Sequence, residues 1–298
     1  MSYHLFMPEL PEVENTVRGL KKAVVGSRIE DVWTDTPKLI RKGSFADLKK
    51  KIKGKKITDV SRRAKNIIIS FEGGEVLLIH LKMTGHILIG EWNIVGPKNE
   101  ERAEFTGKGY LSERINGYVR VIFYLDDGRQ LALSDLRKFA KVVFGKKEDI
   151  MTDELGDIGV EALDMGIDEL RKILANSSRS IKTLLMDQSK IAGIGNIYSD
   201  DILFKIGIHP LKKASSLSEK EIEKLYISIK EILSLAVKLG GTSISDYRDV
   251  KGRKGGYGER RLVYGKSGKP CSVCGTIIEK IKVGGRSASF CPKCQPLE

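Results

Sequence analysis

The 298-residue chain holds four cysteines, and their spacing is that of a metal site. Cys271, Cys274, Cys291 and Cys294 read C-x2-C-x16-C-x2-C, two knuckles that can bring four thiolates to the corners of a tetrahedron around one Zn2+. With sulfur at every corner no position stays open to water, so the metal is structural. Two disulfides are the alternative. Against them stands the N-terminus, MSYHLFMPELPEVE, which carries acids where an export signal carries Lys or Arg before an apolar run, and thiols inside a cell stay reduced. The intervening GTIIEKIKVGGRSASF reads as a hairpin, 276–283 against 287–290, turned by Gly284-Gly285.

Lys and Arg number 52 against 39 Asp and Glu, a formal charge of +13. That surplus points to a polyanion, nucleic acid above all, because neutralised phosphates release counterions. A generally lysine-rich proteome would give the same count. No run of about 18 apolar residues is present, so neither membrane spanning nor secretion is expected.

The elements that must position such chemistry follow from periodicity. At about 150 residues per domain the chain has room for roughly two. The first 150 residues predict one helix, 11–25, opening on Pro11 and stopping at Gly26, then strands at 56–60, 66–71, 76–83, 86–89, 118–125, 130–134 and 141–144. Turns such as Asp126-Asp127-Gly128 separate them, as in an antiparallel sandwich or barrel, and 91–116 reads as a long polar loop. From about Thr152 the period becomes helical, with helices at 168–175, 181–187, 197–204 and 219–239. The last has a capping-box start, Ser218 with Glu221, and a Gly240-Gly241 stop. The following DYRDVKGRKGGYGERR is basic, Gly-rich and expected to be mobile.

Three segments, MPELPEVE, KIAGIGNIYSDDILFKIGIHP, and VYGKSGKPCSVCG with GGRSASFCPKCQ, run in order from Met7 to Gln295. Together they resemble the bacterial formamidopyrimidine-DNA glycosylase family. The resemblance implies an α+β chain: an antiparallel β-sandwich catalytic domain with a flanking helix (1–150), a helix-two-turns-helix DNA-binding module (151–242), a flexible lesion-capping loop (243–261) and a zinc finger (262–298). It implies a monomer in the bacterial cytoplasm, at the nucleoid, whose partner is double-stranded DNA containing oxidised bases. The implied reaction removes oxidised purines, chiefly 8-oxoguanine opposite cytosine and formamidopyrimidines, and then cuts the abasic strand by β,δ-elimination.

The same resemblance assigns residues. Pro8 is the nucleophile: a secondary amine attacking C1′ displaces the base and necessarily leaves a cationic iminium, the electron sink for elimination. An α-amino group has a reference pKa of about 7.7–8.0 against about 10.4 for Lys, so a useful fraction is unprotonated near neutrality. Glu9 is the general acid at the sugar ring oxygen. Glu12 is a supporting carboxylate; read alone, it is a first-turn helix acid worth under about 1 kcal/mol. Lys65 and Arg286 grip phosphates beside the lesion, and His80 sits in the same loop sequence as Met83, which fills the gap left by the flipped base. Arg137 faces the orphaned cytosine and Phe139 wedges into the stack, while Lys182 and Asn196 face DNA from the helical module. Without the motif, Lys65 would be a solvated charge and Met83 and Phe139 core residues.

One departure touches the chemistry. Six residues, MSYHLF, precede Met7, so Pro8 as written has a tertiary amide and no free amine. The expectation is that Met7 is the true start and is removed; otherwise the chain binds damage without cutting. Lys138 and Ala140 also stand where RRFG is usual. Two further alternatives are endonuclease VIII-like preference for oxidised pyrimidines and a non-catalytic DNA-binding protein.

Overall fold

Alternating apolar residues build two sheets around one core. The computed structural model describes residues 7–98, 100–243 and 246–297. They form two units: the first comprises the described residues up to Gly156 together with Gly240–Gly256, and the second comprises Asp157–Leu239 and the residues from Tyr257 onward.

In the first unit, β1 (Ile29–Thr34), β9 (Val119–Leu125), β10 (Gln130–Asp135) and β6 (Gly85–Gly90) make an antiparallel sheet in that order. A second sheet runs β2 (Ile40–Arg41), β11 (Lys141–Lys146), β5 (Glu75–His80), β4 (Asn66–Phe71) and β3 (Ile57–Arg63), with β2 parallel to β11 and the rest antiparallel. Ile67, Ile69 and Phe71 of β4 and Val121, Phe123 and Leu125 of β9 share one core cluster, the period-2 pattern of a sandwich. Helix α1 (Leu10–Val24) adds Val13, Val17, Leu20 and Val24 to that cluster, three or four residues apart on one face. Its Pro11 and acidic first turn, and Lys21 and Lys22 in its last turn, match the helix dipole. The unit also carries α2 (Phe45–Ile52) and α3 (Lys147–Asp153).

Residues 91–116 are not one polar loop. They contain a hairpin, β7 (Trp92–Val95) against β8 (Arg102–Phe105), whose Trp92 and Ala103 cover Leu88, Ile122 and Ala132 on the outer face of the four-stranded sheet. The expected 76–83 strand stops at His80, because Lys82 adopts φ +55° and residues 81–84 turn. Gly85 follows so close to the Leu81 carbonyl that a Cβ would lie 2.4 Å from its oxygen. Met83 is therefore on a turn.

Part of the basic run after α7 (Glu219–Lys238) is packed, while Lys251, Arg253 and Lys254 in it are exposed. Tyr247, Arg248 and Val250 are buried, Val250 joins the main core, and the Ile89 N–H donates to the Val250 carbonyl at 2.8 Å. The Arg248 guanidinium donates to Glu113 at 3.3 Å. At the neck of this segment Gly255 passes Gly240 and Gly241 so tightly that a Cβ would meet both carbonyl oxygens at 2.4 Å. Tyr247 and Val250, apolar residues inside this Gly-rich run, are buried in the first unit.

His86 on β6 is wholly inside. The Asn116 amide donates to the Tyr110 carbonyl at 2.7 Å, which turns its oxygen to His86 Nε2 at 2.9 Å, so the neutral ring carries its proton there. Burial lowers the His86 pKa from 6.5 to about 4. A depressed histidine pKa means that the unfolded chain binds the proton first, so stability falls as pH drops from 6.5 toward 4 and levels off below. The loss is on the order of 3 kcal/mol. Urea denaturation at pH 7 and pH 4.5, with His86→Gln as the variant that flattens the difference, checks this.

The second unit pairs β12 (Val160–Glu161) in parallel with β13 (Ile191–Ala192) and carries α4 (Ile167–Ala175), α5 (Ile181–Leu185), α6 (Asn196–Lys205), α7 and the short α8 (Tyr257–Arg260). Ser218 and Glu221 form the capping box of α7. Residues Ile197–Phe204 of α6 are all buried, acids included. The chain ends in the hairpin β14 (Glu279–Val283) and β15 (Arg286–Phe290), closed by Gly284 and Gly285 at φ +54° and +77°, a turn that favours glycine at both positions. Among the described residues no helix is long and apolar enough to cross a membrane.

Candidate functional site

Pro8 and Glu9 are buried where α1 begins, Glu9 being the extended residue that caps it. The Glu12 carboxylate accepts the Glu9 N–H at 2.8 Å through one oxygen and the Thr242 N–H at 2.6 Å through the other. The Tyr247 hydroxyl donates to the Glu12 carbonyl at 3.0 Å; burial, with the Glu12 charge nearby, pushes its pKa far up and keeps it a donor. Gly241 lies against this carboxylate, where a Cβ would come within 2.8 Å of it. Glu12 is thus a first-turn acid whose carboxylate is engaged by two backbone amides. It caps the positive end of α1 and fixes the backbone on which Pro8 and Glu9 sit.

Lys65 follows Ala64 in a two-residue hairpin loop between β3 and β4, Ala64 having φ +52°. The Arg62 guanidinium donates to Glu14 of α1 at 3.0 Å and to the Ala64 carbonyl at 2.9 Å, tying that loop to the helix. His80 ends β5, with Asn66 and Lys141 opposite it on the neighbouring strands. Its Nδ1 accepts the Lys82 N–H at 2.9 Å, leaving Nε2 as the donor. Burial, followed by the charges of Lys82, Lys65 and Lys141, lowers its pKa to about 3. At neutral pH it offers a hydrogen bond and no charge.

Met83, Arg137 and Phe139, far apart in sequence, form one stack. The Arg137 guanidinium lies 3.6 Å from the Met83 sulfur and 4.6 Å from the centre of the Phe139 ring, and Phe139 is 47% exposed. Sequence reading missed what holds them. Asp135, wholly buried, accepts the Arg137, Phe139 and Ala140 N–H groups at 3.2, 2.7 and 2.8 Å. Its position inside DLRKFA was the available signal.

In the second unit, Asn196 is the first residue of α6 and its amide donates to Ser287 at 3.5 Å. Arg286 is exposed where β15 leaves the glycine turn. Lys182 is elsewhere. Expected at DNA, it is fully buried, 2.5 Å from Asp200 and 3.0 Å from the Ser199 hydroxyl. Its charge is spent on an internal ion pair bracing α5 on α6. Asp200 also accepts the Ser289 N–H at 2.8 Å, while Asp201 accepts from the Tyr257 hydroxyl and the Val263 and Tyr264 N–H groups at 3.0–3.2 Å. These two acids went unread, although charges in a helix without a polar face must be buried and paired.

The four cysteine sulfurs lie within 4.8 Å of one another, with Cys274 3.5 Å from both Cys291 and Cys294 and Cys271 3.9 Å from Cys294. A tetrahedron with Zn–S of about 2.3 Å has edges of about 3.8 Å, so the donor set fits one structural Zn2+. Gln295 clamps the cluster, accepting the Cys291 N–H at 3.0 Å and donating to the Ile208 carbonyl at 2.7 Å.

Family models match three stretches: the formamidopyrimidine-DNA glycosylase N-terminal domain over residues 7–142, its H2TH domain over 158–248, and the zinc finger found in FPG and IleRS over 268–297. The chain belongs to the formamidopyrimidine-DNA glycosylase family. A Bacillus cereus formamidopyrimidine-DNA glycosylase is 39% identical over 97% of this chain and 99% of its own length. One from Rippkaea orientalis is also 39% identical, over 97% and 100%. A complex of the Lactococcus lactis Fpg with DNA containing an abasic site superimposes with a TM-score of 0.84 at 34% identity, covering 97% of this chain and 100% of that one. Membership of the formamidopyrimidine-DNA glycosylase family makes the chain a DNA glycosylase of oxidised-purine repair, with the abasic-site lyase activity general to that family.

Proposed function

We propose that the chain, acting as a monomer in the bacterial cytoplasm at the nucleoid, excises 8-oxoguanine opposite cytosine and formamidopyrimidines from double-stranded DNA. The nucleophile is the amine of Pro8, freed by removal of the residues before it. Its lone pair attacks C1′ as the C1′–N bond to the base breaks and Glu9 protonates the ring oxygen. The attacking nitrogen gives up its proton, the C1′–O4′ bond breaks with its electron pair going to the protonated ring oxygen, and the nitrogen lone pair closes the C1′=N iminium, which acidifies the C2′ proton; eliminations then release the 3′ and 5′ phosphates. Phe139 wedges the stack, Arg137 meets the orphaned cytosine and Met83 fills the void, since the target carbon is unreachable inside a stacked duplex. Lys65, Asn196 and Arg286 face phosphates, and His80 serves as a neutral donor. Lys182 is left out because it is paired inside.

The observation carrying this reading is Glu12, whose two oxygens take the amides of Glu9 and Thr242 and so fix the Pro8–Glu9 backbone at the positive end of α1. Single-turnover excision from 8-oxoguanine:cytosine duplex, compared with thymine glycol duplex, tests it. Faster release of thymine glycol would assign the chain to pyrimidine repair. Lys65→Ala and Arg286→Ala each weaken binding and reduce the slope of log K against log salt by roughly one ion. Unchanged slopes in a fluorescence anisotropy series would remove both from the phosphate contacts.

A further inference from the structure

The residues proposed to enter the helix come from two separate turns, and buried polar groups join those turns. Met83 and Thr84 lie on the turn after β5; Arg137 and Phe139 lie on the turn after β10. Thr84, itself buried, donates its hydroxyl to the Asp135 carboxylate and accepts the Arg137 N–H at 3.1 Å. The same carboxylate holds the amides of Arg137, Phe139 and Ala140. Within the second turn, between Arg137 and Phe139, Lys138 takes φ +56°, the left-handed region that a lysine seldom adopts.

We infer that Asp135 and Thr84 are positioning residues that latch the two turns into one rigid body, so that the void-filling methionine and the wedge enter DNA together. A carboxylate with no exposure and four donors has one geometry open to it, because releasing any amide would leave a buried charge under-bonded. The threonine hydroxyl is the side-chain cross-link, touching both the carboxylate and the Arg137 amide of the other turn, beside the β6–β10 ladder that pairs Gly85 with Asp135. Side-chain stacking of Arg137 between the Met83 sulfur and the Phe139 ring completes the body at the surface. This inference rests on the roles proposed above for those three residues.

The test uses the full zinc-loaded chain and a duplex in which a stable tetrahydrofuran abasic analogue faces cytosine, with 2-aminopurine beside it reporting unstacking. The parent raises 2-aminopurine fluorescence several-fold on binding. Thr84→Val, which keeps the shape and removes the hydroxyl, and Asp135→Asn lose at least about two-thirds of that rise at saturation, while affinity measured by anisotropy changes by less than about threefold. Thr84→Ser restores the rise. A full rise with Thr84→Val, or a rise and an affinity that fall together in both variants, overturns the latch. Excision of 8-oxoguanine by the zinc-loaded chain begun at Pro8 separates the two readings: a Pro8-first chain that unstacks DNA and releases no base defeats the proposed reaction and leaves the latch standing.

Discussion

Borohydride links damaged DNA to the chain that begins at Pro8 and leaves the 298-residue chain unlinked. The reason is electronic. In the longer chain the Pro8 nitrogen is part of a peptide bond, its lone pair is delocalised into the Met7 carbonyl, and it has neither nucleophilicity nor a proton to lose. Freed, it is a secondary amine with a reference pKa of about 7.7–8.0, and the iminium it forms is what borohydride reduces. The expected difference in trapping on an 8-oxoguanine duplex is at least about 1000-fold, the scale on which loss of a covalent nucleophile acts. Glu9→Gln in the Pro8-first chain separates the steps: excision slows, while trapping on a preformed abasic site persists, since that aldehyde needs no ring-oxygen protonation to open. Intact mass must accompany each assay. A chain still carrying Ser2 to Phe6 that traps as well as the Pro8-first form would assign the chemistry to another amine.

What could be read without coordinates depended on how local the physics is. The cysteine spacing was legible because two knuckles and a hairpin bring their own geometry, and the sulfur separations of 3.5–3.9 Å agree with it. The capping box of α7 was equally legible. The β7–β8 hairpin was not: four-residue strands bearing Asn93 and Glu104 outward look like loop, and Trp92 gains its meaning from Leu88, Ile122 and Ala132. Val250 and Tyr247 were hidden by the lysines, arginines and glycines around them. Glu12 and Thr242 meet across 230 positions, and Asp135 and Thr84 across 51, so no periodicity records either pair. The resemblance supplied candidate contacts at DNA and named Glu12, but it said nothing of Asp135, which acts on backbone amides that any sequence provides.

Lys182 is a positive charge paired inside the protein, and its replacement is the largest stability change expected here. Lys182 and Asp200 have side-chain exposures of 0% and 1%, and their charged atoms lie 2.5 Å apart. Burial pushes the Asp200 carboxyl upward to about 6, against the pull of the Lys182 ammonium and the Ser289 amide. Lys182→Met leaves that carboxylate buried and uncompensated, and is expected to destabilise the folded chain by about 3–5 kcal/mol at pH 7. The variant's carboxyl then titrates higher still, so the native state takes up protons that the unfolded chain releases, and the deficit against the parent shrinks as pH falls. Lys182→Met with Asp200→Asn removes the charge while keeping an acceptor for the Ser289 N–H, and recovers most of the loss; a buried pair replaced as a pair is nearly neutral, whereas a broken one is not. Because Asp200 holds β15 through Ser289 at 2.8 Å, the single variant also loosens the zinc hairpin that presents Arg286. Urea denaturation gives the stabilities, and a salt series on the folded double variant gives the slope for DNA. That slope stays at the parent value if Lys182 is internal, whereas a stable Lys182→Met chain whose slope falls by about one ion would return Lys182 to the phosphates.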